Sequence, residues 1–172
     1  MRSLIVGAGA IGQFCAARLA QGGSEVVIMA RPQQVETINA QGVELRVNDS
    51  ASTQHVHAAA DLADAAFRDP FELVIVAVKA YSTADAVRTI ANIASARDAS
   101  ILTVQNGLGN EEILAEAFGA ERIVAGALTV AVDRLGATSI SASSKGGLSV
   151  APVGPNPHNW IIAAFNESGM TV

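Results

Sequence analysis

Up to Arg122, short apolar runs rich in Val, Ile and Leu alternate with stretches whose apolar residues recur at helical spacing. This is the pattern of a parallel sheet joined by crossover helices, which are right-handed almost without exception. Leu4 to Val6 reads as a first strand, Ile11 to Gln21 as a helix and Glu25 to Ala30 as a second strand. Gln34 to Ala40 follows as a short helix closed by Gly42, and Val43 to Val47 as a third strand of alternating character. The polar, alanine-rich stretch 48–70 predicts an edge strand around Thr53 to His57 and a short helix near Leu62 to Phe67. Then come the continuous apolar strand Leu73 to Val78, a helix from Thr83 to Ala96, the strand Ile101 to Val104 and a helix from Glu111 to Phe118.

Beyond Arg122 the pattern changes. Ile123 to Val132, Ala137 to Ala142 after the turn signal Leu135-Gly136, and Leu148 to Val150 after Gly146-Gly147 read as short antiparallel strands. They predict a meander that closes the domain edge. Pro152, Pro155 and Pro157 mark a loop, Asn159 to Asn166 a last helix, and Met170 to Val172 the beginning of a strand.

The chain has 172 residues, enough for one domain that buries roughly 70% of its unfolded surface. Half of it is apolar, mostly Ala, Val, Ile and Leu, while its 16% of charged residues falls below the roughly 25% usual in soluble domains. Strands buried on both faces account for that balance, and disorder is excluded. A net charge of −5 without a basic cluster lacks the electrostatic footprint of nucleic-acid binding. The longest apolar run, Leu73 to Val78, is far shorter than the roughly 18 residues of a membrane helix. Met1 to Val6 superficially resembles a signal peptide, but Gln13 and Arg18 interrupt the stretch early, so the cytoplasm is the expected location. The single cysteine, Cys15, shares an apolar stripe with Ile11 and Leu19 and reads as core packing rather than a nucleophile. His55 and His57 fall on one face of their expected strand. No third ligand follows at a metal-binding spacing, so a solvated strand face is preferred to a metal site.

Gly7-Ala8-Gly9-Ala10-Ile11-Gly12 directly follows the first strand and opens the first helix. In that context Gly7 permits the tight turn, Gly9 lets the backbone approach a pyrophosphate, and Gly12 lets the helix pack closely. The helix N-terminus supplies free N–H groups and a positive dipole end. Arg31 ends the second strand nineteen positions after Gly12. An NAD site normally places a carboxylate there, whereas an arginine pairs with the additional phosphate of NADP; a solvated strand end before the Pro32 turn is the bland alternative. The missing carboxylate also weighs against an S-adenosylmethionine site. Lys79 and Asn106 sit just past the carboxyl ends of the two most apolar later strands, where an open α/β sheet has its ligand crevice. The fold class expected is therefore α/β, a Rossmann-type, mostly parallel, doubly wound sheet with a C-terminal antiparallel meander, filling residues 1–172.

With these residues placed, the chain resembles the N-terminal NADP-binding domain of the ketopantoate reductases (2-dehydropantoate 2-reductases), within the 6-phosphogluconate-dehydrogenase-like superfamily. The resemblance runs through Gly7 to Gly12, Arg31, Val78-Lys79-Ala80, Gln105-Asn106-Gly107-Leu108-Gly109 and the Gly136 hairpin. It implies that residues 7–12 hold the pyrophosphate, Arg31 the 2′-phosphate, Lys79 the cofactor, and Asn106 both nicotinamide ribose and substrate. Val132, four residues before Gly136, matches a backbone contact to the cofactor. Many relatives carry Gln where this chain has Ser82, so the resemblance does not extend to an adenosine-side contact at that position. The family's proton donor is a lysine in a following all-helical domain; the only lysines here are Lys79 and Lys145, so that residue is expected beyond Val172 and no catalytic residue is expected in this chain.

The leading expectation is thus the cofactor domain of an NADPH-dependent 2-oxo acid reductase, inactive alone, acting on 2-dehydropantoate in pantothenate and coenzyme A biosynthesis or on another small 2-oxo acid. A non-catalytic dinucleotide-sensing regulatory domain is the alternative from another class. Such domains usually keep a carboxylate at the second strand's end and have no need of Lys79 or Asn106. Another superfamily oxidoreductase also stays open, as does a homo-oligomer of the full-length protein.

Overall fold

Strand residues buried on both faces organise the chain into its main layer. In the computed structural model, which describes residues 1–172, Ile5, Ile28, Ile75 and Leu102 point to one face of a seven-stranded sheet. Their neighbours Leu4, Val6, Val27, Val74, Val76 and Ile101 point to the other. With a side-chain period of two, both faces need a covering of helices. The sheet comprises β1 (Arg2–Val6), β2 (Glu25–Met29), β5 (His57–Ala59), β6 (Leu73–Val76), β7 (Ser100–Thr103), β8 (Ile123–Leu128) and β11 (Leu148–Pro152). Its order is β11-β8-β7-β6-β1-β2-β5, parallel except for β11 against β8. The order reverses between β1 and β6, so a crevice opens past the carboxyl ends of those strands.

Helix α1 (Ala10–Gln21) covers one face together with α2 (Pro32–Gln41) and α5 (Asn159–Glu167), while α3 (Thr83–Ala91) and α4 (Asn110–Phe118) cover the other. Helix α1 is buried far beyond the stripe of Ile11, Cys15 and Leu19, from Gly12 through Ala17 as well as at Leu19. The reason is a second sheet. Strands β3 (Val43–Val47), β4 (Ser50–Gln54), β9 (Val132–Arg134) and β10 (Ser139–Ala142) form it in the order β4-β3-β10-β9. Helix α1 lies between the two sheets, touching strands of both. Cys15 is fully buried there, and removal from water pushes its thiol up to about 12.

The antiparallel strands expected past Arg122 are present, but they are divided between the sheets. The run Ile123 to Val132 breaks into β8 in the main sheet and β9 in the second. Strand β10 pairs antiparallel with β9 and parallel with β3, a partner distant in sequence. The predicted edge strand Thr53 to His57 also resolves into two. Strand β4 forms a hairpin with β3, and the chain then changes sheets so that β5 lies beside β2. The Asn39 side chain secures β5, its amide donating to Ala58 O at 2.9 Å and its oxygen accepting from Ala58 N at 2.6 Å. His55 and His57 therefore share no strand, and His57 Nε2 lies 3.1 Å from Asp64 Oδ1. The helix near Leu62 to Phe67 is only a 3-10 turn over Ala65–Phe67, opened by Asp64, whose carboxylate accepts from Ala66 N. The helix from Thr83 stops at Ala91, and a separate 3-10 turn covers Ala94–Ala96. Met170 to Val172 forms no strand, although Thr171 O accepts from Leu148 N at 2.9 Å.

Candidate functional site

The first turn after β1 shows why its glycines are where they are. Gly7 has φ +113°, and a Cβ there would lie 2.9 Å from Val78 Cγ1 and 3.1 Å from backbone at Ala77. A Cβ on Gly12 would lie 1.8 Å from Gly7 O, so α1 can close onto the turn only without a side chain at that position. Gly9 differs from both: nothing lies within 4 Å of its Cβ position. It precedes α1 as a cap without a side chain, so no side chain of its own satisfies the first-turn N–H groups.

A cleft of about 710 Å³ opens above this turn. Gly7, Ala8 and Gly9 form its floor, Arg31, Gln33 and Gln34 one side, and Val78, Lys79, Tyr81 and Ser82 another. Arg31 is exposed and extended (φ −71°, ψ 149°), the conformation favoured before proline, and Pro32 occupies the first position of α2. The helix therefore starts two residues before the Gln34 expected from the pattern. The four ion pairs of the structure include neither Arg31 nor Lys79. Asp85, the one carboxylate lining the cleft, is paired with Arg88. Free cations thus face a cleft floored by the glycine turn that leads into α1, whose start no side chain caps, which favours a phosphorylated ligand.

Asn106 and Val132 do not line this cleft. Asn106 is exposed on the turn after β7, and Val132 is half-buried at the start of β9. A buried polar network ties the Asn106 turn to the Lys79 turn. Gln105 Nε2 donates to Val78 O at 3.0 Å and to Thr83 Oγ1 at 2.9 Å, while Gln105 Oε1 accepts from Thr103 Oγ1 at 3.1 Å. Thr83 Oγ1 lies 2.8 Å from Ala80 O and 2.9 Å from Asn110 Oδ1, and its single proton serves one of them at a time. Asn110 Nδ2 reaches Asn106 O and Gly107 O, each at 3.4 Å. The two strand-end turns are consequently one unit. The sequence pattern includes Gln105 in the Gln105–Gly109 motif without assigning it a role, and gives none to Thr83 or Asn110, nor to Gln34 and Arg134, which line the cleft. Gln105 was the one with a signal, being a polar residue directly after a buried strand.

A doubly wound parallel sheet, a glycine turn into a helix N-terminus and a crevice at the reversal of strand order define a Rossmann-type domain. Residues 3–155 match the ketopantoate reductase PanE/ApbA family, and the chain belongs to that family. The 2-dehydropantoate 2-reductase of Pyrococcus horikoshii is 35% identical over 125 residues, covering 69% of this chain and 37% of that protein. The enzyme of the same name from Mesorhizobium japonicum is 37% identical over 109 residues, covering 63% of this chain and 32% of its own length. The crystal structure of 2-dehydropantoate 2-reductase from Geobacter metallireducens superposes with a TM-score of 0.87 at 29% identity, over 99% of this chain and 56% of that one. D-mandelate dehydrogenase, solved with NADH and anilino(oxo)acetate, shares the fold with a TM-score of 0.86 at 22% identity. The chain thus spans less than two fifths of these two curated relatives and just over half of the Geobacter chain. No helix is long and apolar enough to cross a membrane.

Proposed function

We propose that residues 1–172 are the NADP-binding domain of a cytoplasmic, NADPH-dependent 2-oxo acid reductase that converts 2-dehydropantoate to pantoate for pantothenate and coenzyme A biosynthesis. The observation that carries the cofactor choice is Arg31, an unpaired guanidinium lining one cleft with the Gly7–Gly9 turn. The names of the relatives support the oxidoreductase activity. In this reading Gly7, Ala8, Gly9, Ala10, Ile11 and Gly12 receive the pyrophosphate at the start of α1, and Arg31 pairs with the 2′-phosphate. Lys79 adds a second cation toward the cofactor, the Val132 backbone a further contact, and Asn106 a donor and acceptor for nicotinamide ribose and substrate. Open space at Gly9 and the uncapped helix end fit such a group. Bound NADPH supplies the hydride for the 2-oxo carbon.

The proton is a separate requirement. Lys145 lies exposed in the turn between β10 and β11 and is absent from the cleft lining. With Lys79 assigned to the cofactor, the proton donor is a lysine of a helical domain outside these 172 residues. General acid catalysis contributes roughly 10² to 10⁴ in rate, so this chain alone should not turn over. Titration of the chain with NADPH and NADH at one salt concentration tests the cofactor assignment: NADPH binds roughly tenfold to a hundredfold more tightly, and equal affinities refute it. Oxidation of NADPH by a longer gene product, dependent on 2-dehydropantoate, tests the substrate.

A further inference from the structure

We infer that Arg134, carried by the second sheet, is an additional phosphate-contacting residue of this cleft, so that a bound dinucleotide is held from both sheets. The inference rests on the dinucleotide reading given above. Arg134 is exposed on β9, lines the same cleft as Gly7–Gly9 and Arg31, and takes part in no ion pair. Its guanidinium is nevertheless held in place: Nε donates to Gly136 O at 2.8 Å and Nη2 to Ala137 O at 3.3 Å. Both anchors belong to its own hairpin, which leaves Nη1 unengaged. An arginine oriented by backbone carbonyls, with its charge unneutralised, has already lost part of the freedom that ion pairing would cost.

The hairpin is in turn fixed to the floor of the cleft. Gln13, fully buried in the first turns of α1, donates from Nε2 both to Ala137 O at 2.9 Å and to Ala8 O at 3.1 Å. Gln34 Nε2 donates to the same Ala8 carbonyl at 3.2 Å. The carbonyl that orients Arg134 is therefore one side chain away from the glycine turn, and the Arg31 side of the cleft joins it through Gln34. This arrangement places three cations, Arg31, Lys79 and Arg134, around one cleft whose single carboxylate is already paired. The ligand chemistry they suit is a phosphate, either the bridging pyrophosphate or a 2′-phosphate.

Calorimetric titration of the chain with NADPH and with NADH, for wild type and Arg134→Ala, tests this. Arg134→Ala should lose roughly tenfold in affinity, a charge-assisted hydrogen bond at an exposed position. Loss toward both cofactors assigns the pyrophosphate; loss toward NADPH alone assigns the 2′-phosphate. Unchanged affinity for both overturns the inference while leaving the dinucleotide reading intact, whereas a wild-type chain that binds neither cofactor overturns both. Arg97→Ala, which removes an exposed charge on the opposite face of the sheet, should bind as wild type does, and an equal loss there would make the effect one of net charge and overturn the assignment. Arg134→Lys, keeping the charge without the fork, should recover part of the affinity.

Discussion

Replacing Gln105 by leucine tests whether the two strand-end turns act as one unit. Gln105 is 8% exposed and its side chain makes three hydrogen bonds, two donated and one accepted, so leucine preserves its bulk and removes all three. Two of the partners are not rescued equally. Thr83 keeps carbonyl acceptors at Ala80 and Asn110, but the Val78 carbonyl loses the side-chain donor that ties it to β7. A net loss of about 1 kcal/mol per bond, with about 1–3 kcal/mol for a stranded buried group, is partly offset by leucine's greater apolarity. The expected destabilisation is about 2–4 kcal/mol, or a melting temperature lower by roughly 5–15 °C for a chain of this length. Urea denaturation with an unchanged slope measures it. Because Lys79 and Asn106 sit on the turns so joined, NADPH affinity measured well below the transition should also fall, by about tenfold. A loss under about 0.5 kcal/mol with wild-type NADPH binding would refute the coupling of the turns.

Arg31→Asp should remove most of the preference for NADPH over NADH without weakening the fold, because aspartate is a favourable residue at the start of α2, where Arg31 caps nothing; competition titrations and melting curves report both. Gly9→Val should fold normally, since its Cβ position is open, yet bind no dinucleotide; a folded variant that still binds makes the loop structural only. Cys15 should resist alkylation near neutral pH until the chain unfolds, and rapid labelling of the native protein would show it is not held in the core. Its raised value also gives a pH dependence. The unfolded thiol ionises above the ordinary 9.0 while the native one stays protonated to about 12, so the native state binds more protons in that window and stability falls as pH rises through it. The urea midpoint of wild type should accordingly decline more steeply than that of Cys15→Ala in alkaline buffers, and parallel slopes would count against the shift.

Local chemistry was legible along the chain wherever a residue's role depends on its immediate neighbours. The glycine turn is one case, because a positive φ at Gly7 and a 1.8 Å approach at Gly12 admit no side chain whatever surrounds them. The continuous apolar strands β1, β6 and β7 are another: only burial on both faces accommodates them, and that requirement already implies helices on each side. Arg31, Lys79 and Asn106 could be placed at strand ends for the same reason. Pairing between distant strands was not legible, since β3 and β10 are short, half-polar segments whose patterns suit either a meander or a second sheet. Their partnership is decided by α1, which is apolar around most of its circumference and needs cover on the side away from the main sheet. That second layer brings Arg134 to the cleft and makes Gln13 a buried link between hairpin and glycine turn, contacts 124 residues apart in the case of Gln13 and Ala137. The sequence alone therefore determined the β–turn–α unit and its charge at the strand end. Only tertiary packing, through the burial of α1 from both sides, decided which other side chains share its cleft.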